Sequence, residues 1–474
     1  MSITYNIELN KDKIDNFHDI ITEVTESVFK IGTQIISDLL ERLDTSIREA
    51  IDTSQYRNKG KRKSSIKTRI GIVEYRRTMY LELKTAKLVY PLDDCIETNM
   101  IGLIDEDVVS LIEDQITVMS YRETANCISK LTGMSMSHQA VWNVVQEAGK
   151  RRIQKNEELT QLNQNGQLCG TVETEILYEE ADGNWLSLQG KDRKTYGPSR
   201  EMKMMIAYDG VQYTGLPNKK VRKTLDNKVA YASFESAAAF RKHKNAVIAS
   251  KYDMDAVNLR VKNGDGAQWI QNETDCRTLC VLDKFHRNKK IKECIHNTDM
   301  VKTLTDLVNK ERFDDAINCT ETYINSITDE KEIASAKDLY RYYTENREAL
   351  SDYFNRGITI PPTRDPEHIH HANLGSMESN VFTLIGNRMK GRRACWSIEG
   401  GNNLAIILCA RHTDSLDQTV DYKVVDPCVS EDMKFSVSMV PKSEGKGYEC
   451  PHNISIPANL PWMSKIAKIP NILN

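Results

Sequence analysis

The sequence lacks the long apolar segments that mark membrane proteins and the leader that marks secreted ones. No apolar run approaches the roughly 20 residues that a membrane-spanning helix needs. The amino terminus shows no charged segment followed by an apolar one, as a signal peptide would. The 11 cysteines include no pair at Cys-x-x-Cys spacing, which excludes the usual zinc-site pattern, and their odd number favours reduced thiols. We therefore expect a cytoplasmic protein.

An excess of positive charge is also missing. The formal net charge is −3, which excludes a globally basic nucleic-acid binder. The basic residues are clustered instead, because nine of them and one acidic residue, Glu74, lie between Arg57 and Arg77. The candidate phosphate contacts are Arg57, Lys59, Lys61, Arg62 and Lys63; Arg388, Lys390, Arg392 and Arg393; and Arg287, Lys289, Lys290 and Lys292. Any single cluster of this kind is more often a solvated face.

The length of 474 residues predicts two to four domains rather than one core. We predict a long amino-terminal helix at 1–55, a basic β-hairpin region at 56–100, a helix-turn-helix domain at 101–170, the first part of an α/β core at 171–286, a helical insertion at 287–370, the second part of the core at 371–415 and a loop-rich tail at 416–474.

Apolar periodicity predicts one helix over residues 12–50. Apolar residues recur every three or four positions from Ile14 to Ile35, and the pattern then shifts before Leu39, as at a stutter in a heptad repeat. Two interpretations remain open for this helix. It can form a dimerising coiled coil, or it can pack on its own chain.

A helix-turn-helix is predicted within 119–142. Ser120 can cap a first helix, with Glu123 completing a capping box, and Gly133 can make the turn. A second helix would then present polar side chains to a DNA groove. The candidate DNA contacts here are Arg122, His138, Gln139 and Asn143. Helical hairpins without any DNA function have the same pattern.

From residue 171 the pattern changes to strands and then to strands separated by helices, which predicts a mixed α/β sheet. We expect one strand to enter Asp182, a tight reversal at Gly183, and a second strand from Trp185. A later strand is expected to end at Asp265. The helical and polar segment 287–357 interrupts this unit, and a further helical run carries Glu378.

Three acidic residues, Asp182, Asp265 and Glu378, stand in settings that let distant carboxylates converge. The ends of neighbouring strands can bring Asp182 and Asp265 together, and a helix can bring in Glu378. Carboxylate oxygens are the ligands that Mg²⁺ prefers, and two such ions can activate the attacking oxygen and stabilise the leaving one. Glu399 is the alternative third acid. Glu179 and Glu180 are alternatives to Asp182, but we expect both to point away from the site.

The motifs around these acids carry a family resemblance over about residues 55–415. They are Glu180-Ala181-Asp182-Gly183, Gly264-Asp265-Gly266-Ala267, Leu282-Asp283-Lys284-Phe285-His286 and Glu378-Ser379-Asn380, the last followed by Arg388-Met389-Lys390-Gly391-Arg392-Arg393. Together they resemble DDE-type insertion-sequence transposases with an RNase H-like catalytic domain. The resemblance is greatest to the ISLre-two branch, formerly described only as an uncharacterised bacterial protein family. Mutator-like transposases are more distantly similar.

This resemblance implies a specific function. Asp182, Asp265 and Glu378 would be the catalytic, metal-binding acids, holding two Mg²⁺ ions for which Mn²⁺ can substitute, and Asp283 and His286 would support the site. The protein would bind the terminal inverted repeats of its own element, cleave the ends and join them to target DNA. It would act in the cytoplasm on nucleoid DNA, without a membrane partner, as a homodimer or a larger assembly.

Two other classes of function remain open. A transposase-derived protein without catalysis could act as a repressor, and its DNA binding would survive metal chelation. A helical scaffold protein would show no salt-sensitive DNA affinity.

Overall fold

The computed structural model describes residues 14–96, 100–215, 222–271 and 276–413, so the predicted tail at 416–474 lies outside the described residues. The described chain divides into two compact units, which meet in sequence between Val144 and Val145. Within these described ranges, no helix is both long and apolar enough to cross a membrane.

The first unit begins with the predicted long helix, α1, at Phe17–Ala50. Asn16 and Asp19 close a capping box at its amino terminus. Four apolar side chains of its carboxyl-terminal half pack against the following hairpin: Ile36, Leu40, Leu43 and Ile47. That half therefore packs on its own chain, whereas a coiled coil remains a prediction.

The basic segment forms the first strand of a β-hairpin within the predicted basic region at 56–100. Strand β1 at Tyr56–Thr68 pairs with β2 at Gly71–Glu82 in antiparallel register, and β3 at Leu88–Val89 extends this sheet. The register places Lys63 opposite Arg76 and Arg62 opposite Arg77. Like charges directly across an antiparallel pair repel each other. These two pairs therefore concentrate positive charge on the ribbon formed by β1 and β2.

The remaining helices of the first unit are α2 at Pro91–Cys95, α3 at Glu106–Ile116, α4 at Tyr121–Thr132 and the start of α5 at His138–Gln164, which continues into the second unit. The predicted capping box of Ser120 and Glu123 is present at α4. Gly133 ends α4 with a left-handed φ of 65°, which glycine adopts without strain. The Ser137 hydroxyl accepts a hydrogen bond from the Ala140 N–H. The two expected helices are therefore confirmed, and their use as a DNA-reading motif remains a prediction.

A five-stranded mixed sheet forms the centre of the second unit. Its strands are β4 at Ile176–Ser187, β5 at Ser199–Tyr208, β8 at Val229–Ser233, β9 at Leu259–Gly264 and β10 at Thr278–Leu282, in the order β10-β9-β4-β5-β8. Strands β10, β9 and β4 are mutually parallel, and β5 is antiparallel to β4 and β8. A separate two-stranded ribbon consists of β6 at Val211–Thr214 and β7 at Arg222–Leu225. The mixed α/β sheet is thus confirmed, whereas β8 and this ribbon were not predicted.

Helices cover this sheet and form the insertion. They are α6 at Gly190–Tyr196, α7 at Ala237–Lys251, α8 at Gln268–Gln271, α9 at Lys284–Cys294, α10 at Thr298–Asn309, α11 at Phe313–Ser326, α12 at Glu330–Glu345, α13 at Met377–Asn380 and α14 at Ile398–His412. A π-helical segment, Val381–Lys390, continues α13, and short 3₁₀ turns lie at Tyr353–Asn355 and Gly391–Arg393. The helices α9 to α12 share a core of their own around Leu304, Leu339 and Tyr343.

The expected reversal at Gly183 is wrong, because β4 runs unbroken through it. Gly183 serves close packing instead. A Cβ atom at this position would lie 2.1 Å from Oε1 of Glu201 on β5. Side chains along one strand alternate between the two faces of a sheet. The unbroken strand therefore places Glu180 and Asp182 on one face and Glu179 on the other.

Candidate metal centre

Asp182 lies where the parallel part of the sheet ends. Strand β4 pairs with β9 only as far as Glu180 opposite Asn263, and Asp182 pairs onward with Met204 of β5. Asp265 follows the last residue of β9. The carboxyl ends of parallel strands are the usual location of ligand sites in α/β proteins.

Three side chains converge at this point. Asp182, His286 and Glu378 each offer one ligand atom, and these atoms all lie within 4.8 Å of one another. His286 comes from the first turn of α9 and Glu378 from α13. The small cavity that they line is completed by Ala181, Asn263, Gly264, Asp283 and Met377. The structure therefore brings together two of the three predicted acids, and His286 takes a more central place than the supporting one assigned to it.

Asp265 lies near this cluster but outside the group within 4.8 Å. Its Oδ1 accepts a hydrogen bond from the Ala267 N–H at 2.9 Å, and its carbonyl accepts one from the Tyr342 hydroxyl. Its charge contributes to raising the pKa values of both Asp182 and His286. Asp265 is thus within electrostatic reach of the cluster.

The electrostatics of the cluster favour a bound cation. The pKa of Asp182 is raised to about 6, chiefly by burial and then by the charges of Asp265 and Glu378, against the Gly183 N–H and His286, which lower it. The pKa of His286 is raised, first by its interaction with Asp283 and then, against burial, by the charge of Asp182. A nearby cation would relieve the repulsion among these carboxylates.

Asp283 holds His286 in place. It is the N-cap of α9, and its Oδ1 accepts hydrogen bonds from the Phe285 and His286 N–H groups at 2.9 and 3.1 Å. The same oxygen lies 3.5 Å from Nδ1 of His286. Burial tends to raise the pKa of Asp283, but the contacts with His286 and Asn263 outweigh it and lower that pKa. Asp283 is therefore both a helix cap and a partner of the histidine.

Glu180 shares the face of β4 with Asp182, but it does not line the cavity. It is fully buried, and its carboxylate accepts hydrogen bonds from Asn263 Nδ2 and from the backbone of the segment that precedes Glu378. The period of two along the expected strand puts Glu180 on the face of Asp182, and this shared face was not predicted. Asn263, directly across from Glu180, was not predicted either.

Glu179 does face away from the site, as expected. Its carboxylate is buried on the opposite face of the sheet, where Nζ of Lys244 lies 2.6 Å away and Arg260 also contacts it. Burial opposes ionisation of Glu179, but the charges of Arg260, Lys244 and Lys262 prevail and lower its pKa.

Glu399, the alternative third acid, lies apart from the cluster. It is exposed in the first turn of α14, and its Oε1 lies 3.1 Å from Nζ of Lys150. Glu378, and not Glu399, shares the group with Asp182.

The basic residues after Glu378 differ in their surroundings. Nζ of Lys390 donates to Oδ1 of Asn184 at 3.2 Å, and the guanidinium of Arg388 lies 5.6 Å from the ring centre of the buried Trp396. Arg393 is exposed, and the side chain of Arg392 lies outside the described part of the chain. Arg287 of the third cluster is buried, whereas Lys289 and Lys292 are exposed, and phosphate contact by this cluster remains a prediction.

In the first unit, the predicted DNA contacts are exposed: Arg57, Lys59, Lys61, Arg62, Lys63, Arg122, His138, Gln139 and Asn143. Lys61 has a neighbouring counter-charge, because its Nζ lies 3.6 Å from Oδ2 of Asp44. Nε2 of Gln139 donates to Oδ1 of Asn143 at 3.1 Å, so these two side chains form one polar patch on α5. Their role in binding remains a prediction.

Known proteins resemble this chain over most of its length. Residues 10–423 match the uncharacterised protein family UPF0236. A UPF0236 protein of Caldanaerobacter subterraneus subsp. tengcongensis is 24% identical over 396 residues, covering 82% of this chain and 79% of the relative. A second from the same organism is 23% identical over 403 residues, with coverages of 82% and 79%. A UPF0236 protein in the vanSb 3′ region of Streptococcus gallolyticus is 21% identical over 408 residues, covering 82% of each. Because the family match spans most of the sequence, the chain belongs to the uncharacterised protein family UPF0236.

Proposed function

We propose that this chain is a metal-dependent DNA transposase of a bacterial insertion sequence. The observation that carries the proposal is the convergence of Asp182, Glu378 and His286, with Asp265 in electrostatic reach, at the carboxyl ends of parallel strands in a mixed sheet. Acids brought from two strands and a distant helix to one point are what an RNase H-like phosphoryl-transfer site requires. We therefore assign the sheet to that fold class within the proposal.

The residues at the cluster fit a divalent cation. Ligand atoms of two carboxylates and an imidazole all lie within 4.8 Å of one another, and repulsion among the acids contributes to the raised pKa of Asp182. Asp182, Glu378 and His286 would hold one Mg²⁺ or Mn²⁺, and Asp265 would contribute to a second. A bound ion of this kind polarises a phosphoryl oxygen and lowers the pKa of water.

In the proposed reaction, the DNA would be held for two successive in-line displacements at phosphorus. A water oxygen would form a bond to the scissile phosphorus as the bond to the 3′ oxygen breaks, and that oxygen would leave as a 3′-hydroxyl. The 3′-hydroxyl would then attack target DNA in the same manner, displacing another 3′ oxygen. Because neither step needs a covalent enzyme intermediate, no nucleophilic side chain is assigned.

Binding of DNA is supported by the charge and exposure of the first unit. The ribbon of β1 and β2 opposes basic residues across its strands, and α4 and α5 expose the polar side chains that would read the terminal inverted repeats. Two element ends must be brought together, so the active form would be at least a homodimer. Ile21 and Val28 of α1, each about half exposed, offer apolar surface for that contact.

The names of the relatives give independent support. One of them joins eleven designations for a single protein, and another joins four. A protein encoded at several sites of one genome is what a self-copying or self-moving element would produce.

The test is cleavage of a duplex that carries the element end. We expect Asp182→Asn, Asp265→Asn and Glu378→Gln each to lose cleavage by about 100-fold or more, beyond the 10–100-fold effect of outer metal-site partners. Glu399→Gln is the matched control, because it changes an exposed glutamate at another helix start. Full activity of any one variant would remove that residue from the site. DNA binding that survives chelation without any nicking would favour the repressor instead.

A further inference from the structure

The Glu180 carboxylate, two residues before Asp182 on the same face of β4, accepts an unusually complete set of hydrogen bonds. Its Oε2 accepts from Gly375 N–H at 2.9 Å, Met377 N–H at 3.2 Å and Asn263 Nδ2 at 3.0 Å. Its Oε1 accepts from the Tyr208 hydroxyl at 2.5 Å and Ser376 N–H at 3.2 Å. Five donors surround the two oxygens of one fully buried side chain.

Three of these donors are consecutive backbone N–H groups at the start of the helix that bears Glu378. Successive N–H groups form a concave anion site, and negative charge is favourable at the amino terminus of a helix. Gly375 adopts a φ of +102°, which glycine tolerates and other residues rarely do, so the backbone can turn its N–H groups toward Glu180. The residue after this segment is Glu378. Strand β4 thus fixes both Asp182 and the origin of the Glu378 helix.

Asn263 extends the connection to His286. Its Nδ2 donates to Glu180 at 3.0 Å and to Oδ2 of Asp283 at 3.1 Å, and Asp283 caps the helix that carries His286. Glu180, Asn263 and Asp283 form a buried bridge across three parallel-strand segments. The bridge therefore reaches each residue of the cluster. Asp182 shares strand β4 with Glu180, Glu378 follows the backbone segment bound to Glu180, and His286 lies on the helix that Asp283 caps.

We propose that Glu180 is a positioning residue of the metal centre, which sets the separation of Glu378 from Asp182 through the backbone of 375–377. This inference rests on the proposed function for its meaning in catalysis, but not for its effect on metal binding. A glutamine at position 180 replaces one oxygen by an NH₂ group, which cannot accept. At least one backbone N–H of the segment would then face a donor, and Glu378 would lose its fixed position.

The experiment measures Mn²⁺ affinity by calorimetric titration of the full chain, without DNA. We expect Glu180→Gln to weaken Mn²⁺ binding by about 10–100-fold, as loss of a group that orients metal ligands does. The metal concentration for half-maximal cleavage should rise by a similar factor, while the cleavage rate at saturating Mn²⁺ stays within a few-fold of wild type. Unchanged Mn²⁺ affinity in Glu180→Gln would overturn the proposal.

Glu179→Gln is the matched control, since it changes the adjacent buried glutamate on the opposite face. It should retain wild-type Mn²⁺ affinity, and an equal loss in both variants would show that general destabilisation is responsible and would overturn the proposal. If Glu180→Gln does not fold, Tyr208→Phe removes a single donor to Glu180 and should still weaken Mn²⁺ binding by a few-fold; no change there would also count against it. Wild-type protein that binds Mn²⁺ but does not cut DNA would contradict the proposed function alone.

Discussion

Two neighbouring glutamates on β4 are buried on opposite faces of the sheet and are stabilised in different ways. Glu179 is neutralised by Lys244 and Arg260, whereas Glu180 is held by neutral donors, three of them backbone N–H groups. The face of Glu179 is a closed core under α7, with Phe240 and Ile248 packed against it. The face of Glu180 also carries Asp182, and the negative charges of Asp265 and Glu378 raise the pKa of that residue. Opposite charges are paired on one face, whereas carboxylates that repel one another gather at the candidate site on the other.

The largest effect should follow from removing the negative charge of Glu179, which pairs with two buried cations. We expect Glu179→Gln to lower the free energy of unfolding by about 3–5 kcal/mol, because it leaves Lys244 and Arg260 buried without their counter-charge. Urea denaturation of the variant and the wild type measures this difference. A loss below about 1 kcal/mol would mean that the two faces do not differ in this way.

A bound cation should stabilise the face that carries Asp182. At 100 times the dissociation constant, Mn²⁺ should raise the free energy of unfolding by about 2.7 kcal/mol, and chelation should remove this gain. Thermal unfolding with Mn²⁺ and with chelator provides the measurement. Asp182→Asn should abolish the difference between the two conditions, while Glu399→Gln should preserve it. An equal Mn²⁺ effect in all three proteins would place the ion elsewhere.

The two faces should also respond to pH with opposite signs. The pKa of Asp182 is about 6 in the folded chain against an ordinary 3.8, so the folded state holds a proton that the unfolded state releases. In chelator, the free energy of unfolding should therefore fall as pH rises from 4 to 6, by at most about 3 kcal/mol and by about 1 kcal/mol after solvent screening.

The control for this prediction is the variant that cannot titrate. Asp182→Asn should remove the decline between pH 4 and 6. The lowered pKa of Glu179 works the other way, since its contribution is present above about pH 4.5 and is lost as pH falls. Urea titrations across the range separate the two, and an identical pH profile in Asp182→Asn and wild type would contradict the assignment.

The smallest expected effect compares two lysines of β1, one beside an acidic residue and one opposite an arginine. Lys61 has Asp44 as a partner, whereas Lys63 lies opposite Arg76. If Lys63 contacts a DNA phosphate, the fall of log affinity with log salt concentration should be less steep in Lys63→Gln, by about 0.9 in slope. Lys61→Gln should change that slope less. Fluorescence anisotropy with duplex DNA at several salt concentrations provides the comparison, and equal slopes in the wild type and Lys63→Gln would exclude the contact.

Local patterns made much of the fold predictable. The caps at Ser120 and Ser137, the glycine at 133 and the apolar period of α1 depend on near neighbours, so those helices appear where the sequence indicates. The reversal at Gly183 was wrong because β4 continues through it, and the glycine there lies against the side chain of Glu201 on another strand, without any turn. A neighbour that is distant in sequence leaves no local signal.

The sequence by itself determined which residue types are available, namely the acids, the histidine and the basic clusters, and where most helices begin. It did not determine which acids meet. Only the tertiary structure decided that Glu378 rather than Glu399 joins Asp182, that His286 stands among them, and that Glu180 lies behind the site. The physical reason is that strand pairing and helix packing bring together groups far apart in sequence, such as Glu180 and the Met377 N–H, which are 197 positions apart.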